Sequence, residues 1–236
     1  MGVVPLRAFV GHDKRETVAW WTCTSSLRMT CTAPILIESL EQPALRHSGL
    51  YSRQYADVDG QRIDCGDGRP FSTDFAFTRF LVPALCQWRG WALFCDSDFL
   101  WRGDVSMLFD EQDDARAVMV VQHEHKPREA VKMRGQAQQA YPRKNWSSLI
   151  LWNCEHPSNA ALTPNMVNLC SGRWLHSFGW LRDDEIGALP ARWNWLEGHD
   201  DPSIDPAAVH YTRGTPDMPG YEGVAYADEW RAYGLG

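Results

Sequence analysis

The sequence predicts an α/β fold with a sheet that is parallel at least in its core, and three observations carry that prediction. Short apolar runs at Leu6 to Val10, Ala33 to Ser39, Trp91 to Cys95, Ala117 to Gln122, Ser148 to Trp152 and Ala207 to Tyr211 read as strands. Amphipathic stretches with helical spacing alternate with them. Polar or glycine-bearing turns at Gly11, Asp96 and His210 follow three of these runs, at strand carboxyl ends where ligands of such sheets bind.

The elements are justified in turn. Leu6 to Val10 is broken by Gly11-His12-Asp13. Arg15 to Met29 then places Val18, Trp21, Ser25 and Met29 at helical spacing. Ala33 to Ser39 is a second strand with Pro34 at its start. Glu41 to Pro70, rich in Gly, Asp, Arg and Ser, reads as a long irregular region. Ser72-Thr73-Asp74 opens a helix expected to run to about Arg89 on a stripe of Phe77, Phe80, Leu81, Ala84, Leu85 and Trp88, with Pro83 as a kink or break. Thr163-Pro164 starts a later helix. Asp183-Asp184-Glu185, followed by Ile186 and Leu189, also has the composition of an acidic first helical turn.

Length and composition set limits. The 236 residues fit one sizeable domain, and 44% hydrophobic with 22% charged residues is globular. A net charge of −7 argues against strong non-specific nucleic-acid binding, although Lys126, Arg128, Lys132, Arg134, Arg143 and Lys144 form a local basic stretch. The seven cysteines are odd in number, scattered and free of a CxxC pair, which favours a reducing compartment over a disulfide framework or zinc site. With no leader pattern and no apolar run of membrane-spanning length, a soluble cytoplasmic protein is expected. Twelve tryptophans are unusual; Trp146, Trp152, Trp174, Trp193 and Trp195, beside polar residues or glycine, are expected to include partly exposed rings.

Asp96-Ser97-Asp98 is the most informative stretch. It ends the apolar run Trp91 to Cys95 and precedes Phe99-Leu100-Trp101. Carboxylates one residue apart on an extended backbone point to the same side. Burying such a pair requires a cation or strong donors, and an oxygen set of this kind suits Mg²⁺ or Mn²⁺, which can hold a diphosphate. His210, ending the run from Ala207, is a reasonable third ligand, and a mixed nitrogen and oxygen set favours manganese.

In these motifs and their order the chain resembles the GT-A class of nucleotide-sugar glycosyltransferases, and within it the retaining family 8 enzymes. Phe9-Val10-Gly11-His12-Asp13 resembles the nucleotide-base pocket. Ser72 to Pro83, with Arg79 in its middle, resembles the helix that offers a basic residue to the sugar nucleotide. Leu93 to Asp98 resembles the metal motif, and Asn145 to Asn153 the asparagine-bearing strand lining the donor sugar. Asp183-Asp184-Glu185 with Trp193-Asn194-Trp195 resembles the acidic segment before a short turn. His210 to Pro216 resembles the closing histidine motif. That last motif departs from the family pattern: Gly214 lies four rather than three residues after His210, and Thr215 rather than lysine precedes Pro216. Positive charge for the diphosphate is then expected from Lys132, Arg143 or Lys144.

The resemblance implies a single GT-A domain over residues 1–236, a Rossmann-like mixed sheet flanked by helices, with nucleotide binding at about 1–110 and the acceptor side at about 111–236. It implies Mn²⁺ or Mg²⁺ on Asp96, Asp98 and His210. Donor contacts are implied at Val10, Gly11, Asp13, Ser72, Arg79, Ser97, Lys132, Asn153 and Gly214. Asp184 would lie nearest the anomeric carbon, with Asp183 and Asn153 holding sugar hydroxyls. The implied reaction is transfer from a nucleoside-diphosphate sugar, foremost a UDP-sugar, with retention of configuration. The acceptor stays open among a saccharide, a lipid-linked glycan and a modified nucleic-acid base. Rival readings are a nucleotidyltransferase, against which the Gly-poor Gly11 to Arg15 turn counts, a metal-dependent phosphohydrolase, and a non-catalytic carbohydrate- or nucleotide-binding module.

Overall fold

The computed structural model describes residues 4–124 and 143–234. In chain order its strands and α-helices are β1 (Leu6–His12), α1 (Thr17–Thr30), β2 (Ile35–Glu41), α2 (Gln42–His47), β3 (Tyr55–Val58), β4 (Gln61–Asp64), β5 (Pro70–Phe71), α3 (Val82–Leu85), β6 (Trp91–Cys95), β7 (Phe99–Trp101), α4 (Ser106–Phe109), β8 (Val118–Val120), β9 (Leu149–Asn153), α5 (Pro164–Leu169), α6 (Gly172–His176), β10 (Ile186–Ala188), β11 (Trp195–Leu196), β12 (Ala208–His210) and α7 (Ala227–Tyr233). The main sheet has the order β10-β8-β9-β6-β1-β2. Its pairs β1–β2, β1–β6 and β8–β10 are parallel, while β9 runs antiparallel to both neighbours, so the sheet is mixed.

Strand alternation divides the core. On one face Phe9, Phe94, Ile150 and Trp152 meet Phe80, Leu162, Leu175 and Phe178. On the other, Ala8, Val10, Leu93 and Cys95 meet Cys23 and Leu27 of α1 with Phe99 and Trp101 of β7. This is the period-two pattern expected of strands covered on both sides. Burying Phe94 or Trp152, both at 0% exposure, contributes roughly 2–3 kcal/mol each.

Two expectations are corrected and a third is met in part. Residues 41–70 are not irregular: they hold α2 and a β3–β4–β5 meander whose first turn has Asp59 at φ 52° and Gly60 at φ 76°. Positive φ at both central residues is what a right-twisted hairpin demands, and Asp-Gly is its sequence signature. The helix expected from Thr73 to Arg89 is instead a 3₁₀ turn at Thr78–Leu81 followed by the four-residue α3, with Pro83 in its first turn. Proline is tolerated there because the first turn's N–H groups have no intrahelical acceptor. Of the tryptophans expected to be partly exposed, Trp152, Trp193 and Trp195 are buried, and Trp146 and Trp174 are half-buried.

A smaller sheet, ordered β11-β12-β7, sits beyond the carboxyl edge of β6. Its antiparallel β12–β7 register sets His210 opposite Phe99, and the Tyr211 N–H donates to the Asp98 carbonyl at 3.0 Å. Among the described residues no helix is long and apolar enough to cross a membrane.

Candidate metal centre and donor site

The turn between β6 and β7 carries Asp96 and Asp98, and the β12–β7 pairing delivers His210. One ligand atom from each of the three lies within 4.8 Å of the others. The three residues singled out from the sequence thus converge. Asp98 Oδ1 is buried without a hydrogen bond and faces His210 Nε2 at 3.3 Å. A buried carboxylate oxygen in that state fits a cation ligand, and two carboxylates plus an imidazole form a donor set suited to Mn²⁺ or Mg²⁺.

Neighbouring groups hold the ligands in place. Arg79, 6% exposed, sets Nη1 at 2.8 Å from Asp96 Oδ1 and donates from the same nitrogen to the Ser147 carbonyl at 2.7 Å. Its guanidinium lies 4.9 Å from the centroid of Phe94. The Asp96 N–H donates to the Ser148 carbonyl at 2.9 Å. The His210 ring stacks on Phe99 at 4.4 Å between centroids, and its Nδ1 lies 2.9 Å from Asn194 Oδ1. Asn194 Nδ2 donates to Ser148 Oγ at 3.0 Å. Ser97, fully buried, donates from Oγ to Glu16 Oε2 at 3.0 Å. Burial first, then the charges of Asp98 and Asp13, push the Glu16 carboxyl up to about 7. His123, just past β8, is pushed down to about 3 by burial and by neighbouring His210, so it is neutral.

The other implied donor contacts divide. Val10 is core, paired with Cys95. Gly11 packs under Phe75: a Cβ there would meet the ring Cγ at 2.4 Å, so the residue is small to admit that ring. Asp13 is bound by Arg15 at 2.6 Å and Arg62 at 3.2 Å, and accepts the Asp74 N–H at 3.1 Å. Ser72 is exposed and its carbonyl accepts from Arg15. Gly214 is buried, with its N–H on the Tyr211 carbonyl at 3.1 Å. Lys132 lies outside the described residues. Arg143 pairs with Asp183 and donates to the Ser177 carbonyl; Lys144 is buried.

Three expected site residues are not brought to the cluster. Asn153 ends β9 opposite Trp91, at the far end of the sheet from Asp96, and donates to the Arg116 carbonyl at 3.1 Å. Because β9 runs antiparallel to β6, its start rather than its end adjoins Asp96, which puts Asn145 and Ser148 there. Asp183 and Asp184 form a 3₁₀ turn before β10, again at the end away from Asp96. Asp183 is exposed beside Arg143, and Asp184, 70% exposed, bridges to Arg182 at 3.0 Å. The acidic segment leads into a strand rather than a helix, and the residues that reach the centre lie beyond that strand, at Asn194. Strand direction is not written in an apolar run, so the sequence could not choose between Asn145 and Asn153. Glu16 and Ser148 carried no motif of their own, whereas Asn194 lies in the short turn Trp193-Asn194-Trp195 that the resemblance picked out.

No protein-family model matches the sequence. Among solved structures, the glycosyltransferase GlyE of Streptococcus pneumoniae superposes with a TM-score of 0.62 at 16% identity, covering 99% of this chain and 61% of GlyE. The chain therefore spans less than two thirds of that protein's length. The galactosyltransferase LgtC, in complex with donor and acceptor sugar analogues, gives a TM-score of 0.60 at 12% identity over 97% of this chain and 95% of LgtC. The architecture is accordingly the GT-A fold, as the resemblance implied. In sequence, Protein CDI of Arabidopsis thaliana is 44% identical over 231 residues, covering 96% of this chain and 85% of its own length. At that identity and coverage, the chain belongs to the family of Protein CDI.

Proposed function

We propose that the protein is a glycosyltransferase that uses a divalent cation, foremost Mn²⁺, and moves a sugar from a nucleoside-diphosphate sugar to an acceptor. The observation that supports it is the convergence of Asp96, Asp98 and His210 within 4.8 Å on a GT-A scaffold. When bound, the cation would neutralise the diphosphate and polarise the leaving group as a Lewis acid. Asp96 and Asp98 would supply oxygen ligands and His210 a nitrogen. Arg79 pairs with the Asp96 carboxylate at Oδ1. The stacked Phe99 ring fixes the plane of His210. A UDP-sugar donor and retention of configuration rest on the resemblance to family 8. The roles implied for Asp183, Asp184 and Asn153 are not part of the proposal, because these residues lie away from the centre. The scattered, odd set of cysteines supports a reducing, cytoplasmic setting.

The test is a thermal-shift and turnover screen with a panel of nucleoside diphosphates and their sugars, with Mn²⁺ and with chelator. A matching nucleotide at about 100 times its Kd stabilises by about 2.7 kcal/mol through mass action. Metal-linked stabilisation by one nucleotide, release of that nucleotide from its sugar, and loss of both in Asp98→Asn are the expected results. Nucleotide affinity indifferent to chelator and to Asp98→Asn would overturn the proposal.

A further inference from the structure

A chain of three hydrogen bonds runs from the backbone at the start of β9 to the His210 ring, and its polarity can be read link by link. The Asn145 carbonyl oxygen, which can only accept, lies 2.7 Å from Ser148 Oγ. The Ser148 hydroxyl must therefore spend its one proton there. That leaves Ser148 Oγ an acceptor toward Asn194, 3.0 Å away, so the amide NH₂ must face it. The amide oxygen then faces His210 Nδ1 at 2.9 Å, and an oxygen can hold that nitrogen only if Nδ1 carries hydrogen. A flipped amide would set oxygen against oxygen at Ser148. The pairing on the opposite side of the ring is poorer: His210 Nε2 is 3.3 Å from Asp98 Oδ1, and that oxygen has no hydrogen bond of good geometry. All of the side chains involved are buried: Ser148 is 4% exposed, Asn194 0% and His210 3%.

We infer that Asn194, oriented by Ser148 and the Asn145 carbonyl, is a positioning residue that fixes His210 as its Nδ1–H tautomer and so turns the Nε2 lone pair toward Asp96 and Asp98. The inference rests on the metal reading for its purpose, but the tautomer itself is a property of the metal-free protein. Without this relay, Asp98 would draw the ring proton onto Nε2 and close the nitrogen to a cation. Outer partners of this kind act on affinity by setting ligand orientation and basicity.

The test uses ring-nitrogen NMR on the ¹⁵N-histidine-labelled, metal-free protein at a pH where His210 is neutral, followed by titration with Mn²⁺ alone. Wild type is expected to show Nδ1 protonated and Nε2 bare. Ser148→Ala, which releases the amide without opening a large cavity, is expected to give a tautomer mixture. Asn194→Leu is expected to shift the proton to Nε2, and both variants are expected to bind Mn²⁺ about 10–100-fold more weakly than wild type. Asn194→Asp, which keeps an acceptor at Nδ1, is expected to restore the wild-type tautomer relative to Asn194→Leu. An Nε2–H tautomer in wild type, or unchanged tautomer and Mn²⁺ affinity in Ser148→Ala, would overturn the relay. Wild type that shows the Nδ1–H form yet takes up no Mn²⁺ would instead overturn the metal reading and leave the tautomer assignment standing.

Discussion

Arg79 and Asp96 form a mostly buried ion pair at 2.8 Å, directly behind the proposed cation position. The guanidinium reaches past Phe94 from the 3₁₀ turn before α3, so the residue implied to touch the sugar nucleotide also grips Asp96. Removing one partner of such a pair leaves an uncompensated charge, which costs about 3–5 kcal/mol. Arg79→Met is therefore expected to lower stability by about 3 kcal/mol. Urea denaturation with and without Mn²⁺ checks this, because the cation should recover part of the loss by supplying the missing positive charge.

Asp184 leads to a prediction opposite to the one the resemblance implies. Its carboxylate is solvated and, among the described residues, bridges only to Arg182, itself exposed. Exposed pairs contribute little to stability. Asp184→Ala is expected to keep wild-type turnover and an unchanged melting temperature. A fall in rate by orders of magnitude would place Asp184 at the sugar after all.

Acid sensitivity should trace in part to Asp13. Burial alone would raise its pKa, but the side-chain and backbone donors of Arg15 outweigh that and hold it at about 2, below the ordinary 3.8. The unfolded chain then takes up the proton first as the solution is acidified. The stabilisation, about 2 kcal/mol, is present above pH of about 4 and is lost as the pH falls toward 2. Asp13→Asn should flatten the stability profile across that window, as measured by denaturant midpoints at successive pH values.

Gly11 tests packing against function. A methyl group there would press on the Phe75 ring, which is 2% exposed and walled by the core. Gly11→Ala is expected to destabilise by roughly 1–3 kcal/mol, the range for overpacking. Gly11→Ala combined with Phe75→Leu should recover most of it in a double-mutant cycle. A nucleotide-contact role alone would leave stability untouched.

Strands β1, β2, β6, β8 and β9 of the main sheet were legible because their apolar runs are short, turn-bounded and β-rich, whereas β10 was not, and Asp96, Asp98 and His210 were legible because the proposed metal chemistry restricts which residues can serve. Pairings between distant segments were not. Nothing local in Phe99 to Trp101 announces that it adds antiparallel to Ala208–His210, yet that register is what brings the histidine to the aspartates. The direction of β9 was equally silent, and with it the choice between Asn145 and Asn153. Asp59-Gly60 did carry a readable hairpin signal, masked by the polar composition around it. Acidic Asp183 to Glu185 had the composition of a helical first turn, but the pairing of Ile186 with Val118 outweighed that local preference.

The reversal of β9 also divides the molecule into a rim that tolerates change and a rim that does not. Chain entering β9 at Ser147 and Ser148 adjoins Asp96, so inserting even one residue there would slide Ser148 off its partners. Chain leaving at Asn153 and Cys154 emerges on the opposite rim, beside Trp91 and Gly90. A tag, label or partner domain grafted after that exit would lie on the side away from Asp96 and Asp98, whereas one grafted before the entrance would lie beside them.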